Sequence, residues 1–144
     1  MGSSFVGIGK NGFWLRDGFL ELWLRLLALH IKDPAKDDPN APVIRAIRDQ
    51  WLLASRGVFN GCVPVGLDDA VRTKAGEKAV REAAASLLRA LEAAPERLSK
   101  DVLNLLGFEN RLENDDETWR LISIGRAFLD VLDGKEPPKD PLKK

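Results

Sequence analysis

The sequence predicts an all-α fold: an irregular bundle of four or five helices around a central apolar helix, with one apolar Gly/Pro-containing loop and a short Gly-rich N-terminal arm. Three observations carry this expectation. First, from Phe13 to Ile31 (FWLRDGFLELWLRLLALHI) a 100° step per residue gathers Asp17, Glu21, Arg25 and Lys32 into about a quarter of the circumference, while Phe19, Leu20, Leu22, Trp23, Leu24, Leu26, Leu27, Leu29 and Ile31 fill most of the rest. A helix apolar over so wide an arc must be covered by others. Second, amphipathic helical stretches recur along the rest of the chain. Third, 144 residues with 44% hydrophobic content suit one domain that buries about 70% of its unfolded surface without metals or disulfides.

The domain organisation follows from punctuation in the chain: a Gly-rich arm or small hairpin at 1–12, one helical domain at 13–134, and a flexible tail at 135–144 carrying EPPKDPLKK. Asp33 to Pro42 holds three prolines and ends the first helix, and Asn40 with Pro42 signals a new start. The second helix, about Val43 to Arg56, turns Val43, Ile44, Ile47, Trp51 and Ala54 to one face and stops at Gly57. In Val58 to Leu67 (VFNGCVPVGL) the helical period is lost at Gly61, Pro64 and Gly66, which reads as a structured loop or one short extended piece. Helical signals resume at Asp68 and Asp69, pause at Thr73 to Gly76, and continue to Pro95. Ser99 can cap a short fourth helix over Val102 to Leu106, stopped by Gly107. Asn114 with Glu117 marks the start of a fifth, which carries Leu121, Ile124, Gly125, Phe128, Leu129 and Leu132 on one face to Gly134.

The charge pattern narrows the function classes. Twenty-two cations balance 22 anions, and no segment departs from neutrality by more than about two charges. A nucleic-acid footprint would show as a basic stripe, so no nucleic-acid partner is expected. The first helix is almost long enough to span a bilayer, but Arg16, Asp17, Glu21 and Arg25 lie within it, and a charge near mid-membrane costs about 2.5 to 3.5 kcal/mol. No membrane association is expected. The apolar run has no basic n-region before it, and MGSSFV misses the myristoylation pattern at Val6. The single Cys62 cannot form an intramolecular disulfide, which fits a reducing, cytoplasmic compartment.

Each candidate for chemistry has a plain structural reading beside it. Gly7, Gly9 and Gly12 spell G-x-G-x-x-G before a helix, as in a dinucleotide-binding turn. Only Phe5 and Val6 could supply the preceding strand, however, and no second parallel strand follows the helix. A glycine-rich arm, or an Asn-Gly hairpin joining Phe5–Ile8 to Phe13–Leu15, explains the pattern better. His30 is the only histidine, so multi-imidazole zinc sites are excluded and no metal or cofactor is expected. It projects into the apolar arc and reads as a buried neutral imidazole with one hydrogen-bond partner. Pairing it with Cys62 as base and nucleophile would need the 58–67 loop to lie over it. These two are the only catalytic candidates, and neither forms a recognisable triad. Asp68 and Asp69 could bind a cation, but capping a helix start is the simpler role.

Trp14 and Trp119 are more informative. Helical projection places both on polar stripes, Trp119 near Arg126 and Asp130, and aromatics beside arginine are enriched at protein contacts. The candidate binding residues are therefore Trp14, Trp119, Arg126, Asp68 and Asp69. The chain is read as a non-catalytic module of the inhibitor, immunity-type or adaptor kind, engaging an unidentified protein. The alternatives are a small-molecule-binding or hydrolytic site near His30, Cys62 and Asp68, and a structural homodimer sharing the apolar arc of the first helix.

Overall fold

The computed structural model describes residues 2–59, 61–106 and 112–143. Gly107, expected to stop the fourth helix, and Asn60 of the apolar loop lie outside them. The all-α expectation is overturned at the N-terminus, where strands β1 (Ser3–Ile8) and β2 (Asn11–Arg16) form an antiparallel hairpin. A second small sheet pairs β3 (Arg97–Leu98) with β4 (Asp116–Glu117). The molecule is a helix-rich mixed fold.

Between the two sheets run the helices α1 (Asp17–His30), α2 (Ala41–Ala54), the single turn α3 (Leu67–Ala70) and the long α4 (Lys74–Glu92), and the single turn α5 (Lys100–Leu103) lies between β3 and β4. After β4 comes α6 (Thr118–Leu132). The expected start of the last helix at Asn114 moves to Glu117. Residues 116–117 are held in the β3–β4 pair, and Thr118 bonds back to the 95–96 turn through its N–H to Glu96 O and its hydroxyl to Pro95 O.

The hairpin forms because its side chains alternate with period two. Ser4, Val6, Phe13 and Leu15 point inward and are buried, whereas the facing pairs Phe5–Trp14 and Gly7–Gly12 point outward. Helical periodicity read through Phe13 to Arg16 because those residues continue the apolar run, but the chain enters α1 only at Asp17. Its two-residue turn is Gly9-Lys10 rather than the expected Asn-Gly. Gly9 has φ 60° and, among the described residues, no non-glycine residue has positive φ, which is the II′ pattern with glycine first. Gly7 and Gly12 lie under the Phe5 ring: a Cβ on Gly7 would come within 2.6 Å of Phe5 Cε2, and one on Gly12 within 2.6 Å of Phe5 Cζ. The three glycines thus serve a hairpin, not a phosphate. The boundary expected between residues 12 and 13 falls inside β2.

Helix α1 is the centre of the fold, as expected. Leu20, Trp23, Leu24 and Leu27 are fully enclosed, and Trp23 meets Phe128 of α6 edge-on at 5.6 Å. Most of this arc is consumed within the chain, leaving Leu29 exposed and Phe19 and Leu26 half-buried. Helix α6 runs parallel to α1, with Phe19 beside Arg120 and Trp23 against Phe128, and antiparallel to α4, with Arg81 bonded to Asp133 and Leu88 beside Gly125. Helices α1 and α6 therefore begin at the same end, beside the hairpin. Residues 135–143, expected to be flexible, run along β2: Asn11 Nδ2 donates to Lys135 O, Trp14 N donates to Lys139 O, and Pro137 and Pro141 are buried.

Candidate interaction surface

The charged stripe of α1 is not a solvated face. Asp17 is only 7% exposed. Its Oδ1 accepts from Ser4 Oγ at 2.7 Å and its Oδ2 from the Gly61 N–H at 2.6 Å, while Ser4 Oγ accepts from the Val63 N–H at 3.0 Å. One carboxylate thereby joins β1, α1 and the loop after α2. One turn on, burial and then the Asp17 charge raise the Glu21 pKa. Another turn on, burial and then Arg56 lower that of Arg25. The chain after α2 lies back along this stripe, so a polar row that periodicity alone assigns to water is buried at Asp17 and half-buried at Glu21 and Arg25.

The two tryptophans are brought to one face. Trp14 on the outer side of β2 is 60% exposed and packs at 5.6 Å against its cross-strand neighbour Phe5. Trp119, in the first turn of α6, is half-buried, and its indole N–H donates to Glu117 Oε2. Between them, the parallel alignment of α1 and α6 sets Arg120 against Phe19. The guanidinium lies 5.9 Å from the Phe19 ring centroid and 5.5 Å from that of Trp119, within cation–π range of both. Asp116 sits 3.6 Å from Arg120; its pKa is raised by burial, opposed by the Glu117 amide and by Arg120.

A groove of about 570 Å³ lies on the Trp14 side of this stack, floored by Leu15 and Phe19 and walled by Arg120 and Lys139. A second, of about 690 Å³, lies on the other side between Trp119, Ile122, Leu91 and Glu96. The result is one aromatic face that runs from β2 over α1 to α6, with an arginine at its middle. Phe19 and Arg120 were not legible as site residues: Phe19 counted as core on its own helix, and only the α1–α6 alignment reveals their pairing.

The remaining candidates are scattered. His30 closes α1 and is half-buried, with Nδ1 hydrogen-bonded to Ser86 Oγ at 2.9 Å and its pKa lowered by burial. Cys62 is exposed and follows Gly61, which binds Asp17 at the opposite end of the same helix. Thirteen residues of α-helix place about 20 Å between those ends. Asp68 Oδ1 accepts from the Gly9 N–H at the hairpin tip, about 16 Å along β1 from Ser4, and Asp69 pairs with Arg72 at 2.7 Å. His30, Cys62 and Asp68 are therefore not brought together. Arg126 is exposed on α6, two turns beyond Trp119 on the same stripe.

Compared with family models, curated proteins and solved structures, the chain matches none. Among the described residues no group of three or more His, Cys, Asp or Glu side chains could hold a metal ion, and no helix is long and apolar enough to cross a membrane.

Proposed function

We propose that this chain is a non-catalytic protein-binding module and that the face running from Trp14 to Trp119 is its contact surface. One observation carries the reading: Arg120 stacks on Phe19 and Trp119 and walls the same groove as Trp14, whose ring packs on Phe5, so two tryptophans distant in sequence flank one arginine. Tryptophan and arginine are the residue types that most often dominate protein contacts. An arginine already stacked on two rings loses little rotamer freedom on binding. A cytoplasmic setting accords with the exposed thiol of Cys62. The scattered positions of His30, Cys62 and Asp68 give a hydrolytic reading no shared site to start from.

The test is truncation at both ends of the face. Trp14→Ala and Trp119→Ala should each weaken capture of a protein partner by about thirtyfold, equivalent to about 2 kcal/mol at an interface, with a smaller effect on melting temperature. Capture that is unchanged in both variants, with melting also unchanged, would exclude the face.

A further inference from the structure

We infer that the occupant of this face is a second copy of the same chain, related by a two-fold axis that passes close to Arg120. The inference rests on the reading of the face as a protein contact and names its partner. It is carried by the opposite charge of the two grooves. Among the described residues, outboard of Arg120 the Trp14 groove has two cations, Arg16 and Lys139, against one carboxylate, Asp140. Arg120 itself, 3.6 Å from Asp116, lies near the axis and belongs to neither half. Among the described residues, and leaving Glu117 out of the count, the Trp119 groove has two carboxylates, Glu92 and Glu96, against one cation, Arg97.

In an isologous contact the same patch serves both subunits, and the two-fold exchanges its ends. Here that operation lays the cationic half of each protomer over the anionic half of the other, twice. The chain is thus complementary to itself on this face. The stacked Arg120 and the flanking aromatics lie at the centre, where interface anchors are desolvated, and the charges lie toward the rim. Rim charges of this kind choose register and reject wrong partners more than they add affinity. The same face pressed on a copy without the rotation would set like charges together.

The experiment is sedimentation analysis of the purified chain from about 1 μM to about 1 mM, a range that brackets weak and moderate association. Two charge-reversed variants are run beside it: Arg16→Glu with Lys139→Glu, which makes both halves acidic, and Glu92→Lys with Glu96→Lys, which makes both basic. All four positions are exposed, so the melting temperature serves as the check on folding. A wild-type dimer is expected, with each variant alone associating at least tenfold more weakly and an equimolar mixture of the two recovering the wild-type association. Raising the salt concentration should weaken the wild-type dimer and the mixed dimer alike.

A wild-type chain that stays monomeric throughout overturns the inference. So does a dimer that neither variant weakens, or a mixture that fails to recover. If the chain is monomeric yet captures another protein in a Trp119-dependent way, the binding-module reading stands and only the second copy is ruled out. If it is monomeric and Trp14→Ala and Trp119→Ala leave capture unchanged, both are excluded.

Discussion

Replacing Asp17 by alanine removes both acceptors of the junction between β1, α1 and the 61–63 loop. The Ser4 hydroxyl and the Gly61 N–H lose their partner together. Hydrogen bonds to a charged group contribute about 1.5 to 3 kcal/mol each, so the gross loss is about 3 to 6 kcal/mol. Against this stand the desolvation of a carboxylate that is 7% exposed and the relief of its repulsion with Glu21, which together offset part of the sum. A net loss of about 2 to 4 kcal/mol is expected, near what breaking a buried polar pair costs. Asp17→Asn should lose about half as much, because it keeps one acceptor oxygen but turns an amide donor toward the other donor. The assay is urea unfolding followed by tryptophan fluorescence, with the midpoint falling and the slope unchanged. Hydrogen exchange at the Gly61 and Val63 amides should quicken by more than exchange in α4 does. An unchanged midpoint with unchanged exchange at both amides would mean that the α1 stripe faces water, and the junction would be refuted.

Gly12→Ala should cost about 2 kcal/mol or more, because the new methyl group meets the backbone Val6 O and the Phe5 ring; a melting temperature equal to wild type would refute the close approach of the two strands at this pair. Trp51→Phe should cost about 2 to 3 kcal/mol by thermal or urea unfolding, since it strands Val65 O, to which the indole donates at 3.1 Å, and leaves a gap in a fully buried site. The pH dependence has two opposed parts. The folded-state pKa of His30 is lowered, so the unfolded chain takes up the proton more readily, and stability that is complete above about pH 6.5 falls as pH drops below it. Mutation of His30 to leucine should flatten that limb. The Glu21 pKa is raised, so its contribution is present below about pH 4.5 and is lost as pH rises through the window above; Glu21→Gln should leave stability at neutral pH equal or higher, and a clear loss would reverse the assignment.

Much of the helical plan follows from local residue order alone. The wide apolar arc of Leu20, Trp23, Leu24 and Leu27 makes α1 central wherever it sits, because no smaller cover keeps water off it. Stops at Gly57 and Gly134, both at positive φ, and the Thr73 and Ser99 caps likewise need only near neighbours. Tertiary structure decided what period could not. Phe13 and Leu15 suit a helix by apolarity and a strand by alternation, and only pairing with Val6 and Ser4 selects the strand. Asp17 belongs to water on an isolated helix, and becomes interior once the loop after α2 lies over it, with Glu21 half-buried one turn on. Trp14 and Trp119 each look misplaced in sequence, yet the parallel course of α1 and α6 stacks Arg120 on Trp119 and sets it in the groove that Trp14 lines. A residue's own side chain sets its periodicity, whereas the face it shares depends on partners more than a hundred positions away.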